Sequence, residues 1–433
     1  MMFSSLTDIY NIFLDHPNLV TDSRSISPSC IFLALKGERF NGNHFAADAL
    51  EKGASLVVVD EPQYKVNTQC LLVEDCLKTL QELAAHHRRQ FNIPVIAITG
   101  TNGKTTTKEL ISAVLKKKYN VISTSGNLNN HIGVPLTLLK VNPETQIAVI
   151  EMGANHPGEI AFLCRIAAPD HGLITNIGKA HLEGFGGFEG VVRAKTELYL
   201  YLSACHGTVF VNSDDTLLMQ KSEGLNRLTY GMNENTPTGG TYDDHGNCLS
   251  MNIRQLDGTS MFIRSSLFGD YNAVNILASE CIGRYFKVSA DEIKNAIESY
   301  QPSNNRSQIQ NTGKNILILD AYNANPSSME AAIRYFASST YQNKVVILGD
   351  MLELGTESDT LHQQILTLLD GLSFTWVFLV GPVFTRVNAK REFTCFGDSA
   401  LARLWFSHHG LEGKTVMLKG SRGIALETIA EVL

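Results

Sequence analysis

The run Thr99-Gly100-Thr101-Asn102-Gly103-Lys104-Thr105-Thr106-Thr107 has the residue types needed to cradle a polyphosphate. It follows the β-branched run Val95–Ile98, which reads as a buried strand. It precedes Lys108–Lys118, where Leu110, Ile111, Val114 and Leu115 recur at helical spacing. In a strand–loop–helix setting, Gly100 and Gly103 let the backbone curl so that successive N–H groups converge on one point. The helix that follows adds its positive N-terminal end. Lys104 can then reach the β- and γ-phosphates, and the Thr105 hydroxyl can bind Mg²⁺. The spacing is a variant, because Ile98 stands where the first glycine of the common loop falls. An ordinary strand-to-helix turn is the plain alternative. On the nucleotide reading, Gly100, Thr101, Asn102, Gly103, Lys104, Thr105 and Thr106 hold the phosphates.

Three other residues have useful chemistry. Glu151 follows the run Ile147–Ile150, at the carboxyl end of an expected strand, where open α/β sheets place their ligands. It is expected to bind Mg²⁺ beside Thr105; a solvated strand-end acid is the alternative. His181 lies in a loop after the expected strand Gly172–Ile177, and a lone histidine there is more often structural. Lys195, in Arg193-Ala194-Lys195-Thr196-Glu197 on an expected helix, reads by itself as a surface lysine.

The elements that must position these groups fall into three blocks, as a length of 433 residues suggests. The first, residues 1–91, has short apolar runs at Ile31–Leu35 and Leu56–Val59. The stretch His86–Pro94 reads as a linker. The second, 92–305, alternates strands and helices, with further strands expected at Thr208–Asn212 and the others named above. That alternation implies a parallel sheet covered on both faces. The third, 306–433, begins after the turn-rich Gln301-Pro302-Ser303-Asn304-Asn305. It alternates strands at Ile316–Leu319, Lys344–Leu348, Trp376–Val380 and Thr415–Leu418 with helices around Ser328–Ser338 and Thr360–Leu369. This reads as a second doubly wound, Rossmann-like unit.

Composition excludes several classes. Hydrophobic residues make up 44% and charged residues 18%, with a net charge of −7, so broad nucleic-acid binding is not expected. The longest apolar runs are too short to span a bilayer, and the first twenty residues lack a basic leader. Eight cysteines show no CxxC or zinc spacing; Cys30, Cys70, Cys164 and Cys281 read as buried free thiols of a reducing, cytoplasmic compartment.

At the phosphate loop the sequence resembles the Mur ligases, whose loop reads Gly-Thr-Asn-Gly-Lys-Thr/Ser. The resemblance extends through Thr124–Pro135, Glu151–Ile160, Asn176–Glu183, Asp320–Pro326, Leu348–Gly355 and Lys419–Gly423. The last three segments are similar to the branch of the family that adds D-alanyl-D-alanine. The Asp-Asn-Pro-Arg motif of the diaminopimelate- or lysine-adding branch is not found. Two departures stand out: Asn305-Arg306 where the family has Gly-Arg, and Asp320-Ala321-Tyr322 where Asp-Ser-Tyr is common.

The resemblance implies a three-domain α/β ligase with an N-terminal UDP-substrate domain, a central ATP domain of P-loop type and a C-terminal domain receiving the amine. It implies that ATP phosphorylates a carboxylate and that an amine displaces phosphate from the acyl phosphate, with Lys104 and Mg²⁺ offsetting the gathered negative charge. By resemblance His181 binds a second Mg²⁺, and Lys195 reacts with CO₂ to give a carbamate ligand, which needs a depressed lysine pKa. Asn275 reads adenine, Arg306 reaches the phosphates and Asp320 the ribose. Ser23 and Arg24, in Asp22-Ser23-Arg24, contact the uridine diphosphate; Arg24 suits structural pairing equally well. Asn127, Asn129 and Asn130 contact the UDP-sugar, although turn chemistry alone explains asparagines in a Gly-containing loop. Tyr322 and Asn325 lie in the segment similar to the dipeptide-adding branch, and Lys419 with Arg422 could hold the dipeptide carboxylate. The implied substrates are a UDP-N-acetylmuramoyl-tripeptide and D-alanyl-D-alanine, taken by a monomer. Another Mur-type or folylpolyglutamate-type ligase is the nearest rival, and a nucleotide-driven switch that makes no bond is the rival from another class.

Overall fold

The computed structural model describes residues 5–233, 236–243, 248–255, 258–302, 305–388 and 391–433. Met1 at the amino end, and Ser303 and Asn304 of the turn-rich stretch, lie outside the described residues.

Three sheets organise the chain. The first has four parallel strands in the order Leu19–Val20, Ile31–Leu33, Leu56–Val59 and Cys70–Leu72. The short apolar runs form its strands because each is buried along its whole length in the middle of the sheet. The helix Cys76–Arg88, capped by the Asp75 carboxylate on the Lys78 N–H, leaves this sheet. It sends Leu80, Leu83 and Ala84 into a core shared with Val95, Ala97, Leu138 and Leu163. The expected linker at 86–94 is therefore partly this helix, and Arg88 is buried. Its guanidinium donates to the carbonyls of Phe91, Ile93, Ala167 and Ala168, fastening the helix end to the next unit.

The middle sheet has nine strands. Val95–Thr99 lies between Ile147–Glu151 and His171–Ile174, all parallel, with Thr208–Asn212 and Asn226–Gly231 continuing on one side and Val121–Ser123 on the other. The far edge differs from the fully parallel expectation. Thr238–Asp243, Ser250–Arg254 and Ser260–Arg264 pair antiparallel with one another. Ser250–Arg254 alternates buried and exposed positions, as a sheet with one wet face requires.

The C-terminal sheet has six strands, five of them parallel, with Ile316–Asp320 and Lys344–Gly349 flanking Thr415–Lys419. Apolar clusters on both faces separate it from its helices, the doubly wound arrangement. Two aromatics of the middle block reach this core: Tyr271 packs against it, and Phe268 is buried within it, edge-on to Tyr335 at 4.8 Å and to Phe336 at 6.2 Å. The eight cysteines are all free, and Cys30, Cys70, Cys164 and Cys281 are buried as expected. Among the described residues, no helix is long and apolar enough to cross a membrane.

Candidate active site

A cavity of about 550 Å³ opens where the middle sheet meets the C-terminal unit. Its floor is the phosphate loop. Val95–Thr99 is buried throughout and ends at Gly100, and the helix Lys104–Leu115 begins directly after Gly103. Gly100 has φ +138°, and a Cβ there would fall 2.1 Å from Thr175 Oγ1, so only glycine fits. Residues from the end of the neighbouring strand hold the loop. Asn176 accepts the Asn102 N–H through Oδ1 and donates to the Asn102 carbonyl through Nδ2, and Thr175 Oγ1 donates to that carbonyl at 2.6 Å. Lys104 folds back and donates to the carbonyls of Gly100 and Thr101 at 2.8 and 2.9 Å. Burial lowers its pKa to about 8; Glu151 opposes that shift and Arg306 adds to it.

Glu151 ends its strand directly beside this loop and is 1% exposed. Its Oε1 accepts from Thr105 Oγ1 at 3.2 Å and from Asn129 Nδ2 at 2.8 Å. Its Oε2 is buried with no partner. A buried carboxylate oxygen without a donor is costly in an apolar interior and suits a cation ligand. Lys195, on the helix Phe188–Ala204, is 3% exposed, so the surface-lysine alternative fails. Its Nζ lies 5.5 Å above the Phe185 ring and, among the described residues, has no hydrogen-bond or ion-pair partner. Burial first, then the charge of Lys104, lowers its pKa to about 7, against Glu159 and Glu197. A neutral amine at physiological pH is the species that adds to CO₂.

His181 lines the same cavity but has a partner that sequence reasoning missed. Its Nδ1 lies 2.5 Å from Oε2 of Glu353, which comes from the C-terminal unit. Burial lowers the His181 pKa; Glu353 opposes this, and Lys104 and Lys195 add to it. No group of three or more His, Cys, Asp or Glu side chains gathers on one point among the described residues. Glu151 is thus the acidic ligand candidate, with the Thr105 hydroxyl beside it.

The C-terminal unit closes the cavity. Arg306 stacks on Tyr322, 3.6 Å from the ring centroid, and Arg422 donates to the Tyr322 hydroxyl at 3.3 Å. Asp320 and Lys419 stand opposite each other on adjacent parallel strands and form an ion pair at 2.5 Å. Lys419 lines the cavity, is 2% exposed and already has Asp320 as its ion-pair partner, while Arg422 of the expected cationic pair is turned to Tyr322. Asp320 likewise has Lys419 and the Ser307 N–H as partners. Asn325 does not line the cavity. It caps the helix Pro326–Ser338 and donates to Asn102 Oδ1 at 2.7 Å, while Asn102 Nδ2 donates to Ser327 Oγ at 3.1 Å.

Asn275 lines the cavity against Gly103, with Oδ1 taken by the Thr107 hydroxyl and Nδ2 by Asn272. Each end of that amide keeps one further hydrogen-bonding position. Asn127 and Asn130 also line it, and Asn130 spends Oδ1 on the N–H groups of Ile132 and Gly133. Asn129 lines it as well and donates to Glu151 Oε1. Ser23, Arg24 and Arg422 lie outside the cavity. Arg24 makes a forked pair with Asp22 on the surface, which holds the Asp22 carboxyl down at about 2.

A strand–loop–helix phosphate cradle, a buried acid at the next strand end and a second α/β unit packed over the cavity define a nucleotide-dependent ligase site. The family models agree: residues 17–88 match the Mur ligase family catalytic domain, 98–283 the Mur ligase middle domain, and 305–422 the Mur ligase glutamate ligase domain. The chain belongs to the Mur ligase family. It is 34% identical to the UDP-N-acetylmuramoyl-tripeptide--D-alanyl-D-alanine ligase of Bacillus subtilis, covering 96% of this chain and 92% of that protein. Identity to the Escherichia coli enzyme of the same name is also 34%, covering 99% and 97%. A crystal structure of MurF from Acinetobacter baumannii superposes with a TM-score of 0.86 at 31% identity, covering 96% of this chain and 92% of that one. MurF ligase from Thermotoga maritima, solved in complex with ADP, gives 0.85 at 27% identity and 96% of each chain.

Proposed function

We propose that the protein is an ATP-dependent ligase that joins D-alanyl-D-alanine to UDP-N-acetylmuramoyl-tripeptide in cytoplasmic peptidoglycan precursor synthesis. The single observation that carries the reading is the Thr105–Glu151 contact at the foot of the phosphate loop, with a buried carboxylate oxygen left for a cation. The names of the B. subtilis and E. coli relatives specify the substrates. The proposed units are 1–91 for the UDP substrate, 92–305 for ATP and 306–433 for the incoming dipeptide.

Gly100–Thr106 holds the phosphates, and Lys104 turns from the loop carbonyls to the β- and γ-oxygens as they arrive. Glu151 and Thr105 would hold one Mg²⁺; His181 and a carbamate on Lys195 would hold a second. Bound there, the ions supply charge neutralisation for phosphoryl transfer to the tripeptide carboxylate. Asn275 faces the adenine and Arg306 the phosphates. Asp320 reaches the ribose once Lys419 shares it. Asn127 and Asn130 contact the UDP-sugar, and Tyr322 with Arg422 faces the dipeptide. The docked C-terminal unit excludes water from an acyl phosphate that would otherwise hydrolyse.

The test offers the protein, with ATP and Mg²⁺, two mixtures: UDP-muramoyl-tripeptide with D-alanyl-D-alanine, and UDP-muramoyl-dipeptide with diaminopimelate or lysine. A UDP-muramoyl-pentapeptide from the first mixture, with one ADP per amide bond, is the expected result. Product only from the second moves the protein to another branch of the family. ATP hydrolysis without any product leaves the nucleotide-driven switch.

A further inference from the structure

We infer that Glu353 is the positioning residue of His181, and that the C-terminal unit thereby completes the catalytic centre of the middle unit when it docks. The inference rests on the ligase reading above and adds a residue to it.

The carboxylate does not reach His181 by chance of a long side chain. The loop that carries it is pinned on three sides. Asp350, fully buried at the end of the Lys344–Gly349 strand, accepts the N–H groups of Val383 and Phe384, both at 2.8 Å. The N–H of Met351 donates to Nε2 of the buried His362 at 2.9 Å. The N–H of Leu352 donates to Ser421 Oγ at 2.9 Å. Glu353 follows with φ +64°, a conformation that non-glycine residues seldom adopt and that persists only where neighbours impose it. On the other side, His181 itself has φ +51°. Just beyond the pair, a Cβ placed on Gly355 would fall 3.3 Å from the Glu183 side chain, so the two units lie close there as well. Two strained residues on different units thus converge on one contact of 2.5 Å.

The chemistry follows from the ring. A carboxylate at Nδ1 fixes the tautomer with hydrogen on Nδ1, so the lone pair lies on Nε2. Nε2 makes no hydrogen bond among the described residues, and His181 lines the cavity beside Lys195 and Lys104. A carboxylate behind a ligating histidine both orients the ring and raises its basicity as a donor. Here that carboxylate is supplied by the C-terminal unit, so a ligand-ready His181 depends on the docked arrangement.

The experiment uses the full-length protein at one fixed pH with Glu353→Ala and Glu353→Gln. Histidine ¹⁵N spectra, with the His181 signal identified by its loss in His181→Gln, report the tautomer. Mn²⁺ affinity is measured by paramagnetic resonance in the presence of a non-hydrolysable ATP analogue and UDP-muramoyl-tripeptide. Expected are a single Nδ1–H tautomer in the parent, a mixture in Glu353→Ala, and Mn²⁺ binding weakened about tenfold or more in that variant. Glu353→Gln, whose amide oxygen still accepts from Nδ1, should keep the tautomer and recover most of the affinity. Parent-like spectra and Mn²⁺ affinity in Glu353→Ala would overturn the inference. So would a Glu353→Gln variant as impaired as Glu353→Ala, because the pair would then act through charge alone. Neither failure touches the ligase reading, which stands or falls on product formation by the unaltered protein.

Discussion

Asn102, in the phosphate loop, and Asn325, at the start of a C-terminal helix, share a hydrogen bond of 2.7 Å between the middle and C-terminal units. The same Asn102 backbone is clamped by Thr175 and Asn176. The side chain of the loop therefore reports to one unit while its main chain belongs to the other. Asn102→Ala should leave the fold and ADP binding nearly intact but weaken docking. Small-angle scattering with nucleotide and UDP-substrate checks this: the parent should compact, and the variant should keep a larger radius. Equal compaction in both would show that this amide pair contributes nothing to closure.

Lys104→Ala should lower turnover by about 10²-fold or more, because the cation that meets the developing phosphate charge is lost. The melting temperature should move little, since Lys104 satisfies only two carbonyls of its own loop. ADP release at the parent rate by the folded variant would contradict the assignment.

Asn129 separates two readings of its loop. Its amide donates to Glu151 Oε1 at 2.8 Å while the residue also lines the cavity, so both the acid and the sugar are within its reach. Asn129→Ala should raise the Mg²⁺ requirement about tenfold, with KM for the UDP-substrate nearly unchanged. A rise in that KM at saturating Mg²⁺ would return Asn129 to the substrate.

Lys195 should cost stability as a charged group. Its folded pKa of about 7 lies below the ordinary 10.5, so folding disfavours the protonated form. The penalty is fully present below pH 7, fades as pH rises from 7 to 10.5, and vanishes above. Lys195→Met should be inactive yet more stable near pH 6, by about 2 kcal/mol, because an unpaired buried cation is replaced by an apolar chain of similar length. Thermal denaturation of both proteins across this range checks the sign; an advantage that grows with pH would refute it. A short carboxylic acid should partly restore activity to Lys195→Ala by supplying the missing oxygens.

Local spacing made the phosphate loop legible, since Gly100, Gly103, Lys104 and Thr105 act within one turn of chain. Glu151 was legible because an acid directly after a buried β-branched run must lie at a strand end. Partners brought by strand order were not. Lys419 looked like a free cation until the sheet placed its strand beside that of Asp320, in register. Glu353 is paired with His181 only through docking of two units, and nothing near either residue in the sequence signals the other. The antiparallel strands from Thr238 to Arg264 were overlooked because their serines, asparagines and glycines dilute the alternation. The last turn of the helix Cys76–Arg88 falls in the stretch 86–94 that reads as a linker from its His-His-Arg-Arg run and the proline before the next strand, whereas Arg88 is buried on four carbonyls.

Phe268 gives the C-terminal unit an unequal footing. Near the chain crossover the unit is moored by Phe268, sunk among Tyr335, Phe336 and Tyr341, with Tyr271 packed against the same core. At the rim across the cavity the ties are amides, a hydroxyl and one ion pair, all of which water can replace at small net cost. Such a body works as a lever with an oily fulcrum and a wet grip. Leaving the fulcrum would expose buried aromatic surface, whereas releasing the grip would trade one set of hydrogen bonds for another. An undocked arrangement would then lie little above the docked one in free energy, and the modest preference of a phosphate chain for one of them would be enough to set the balance.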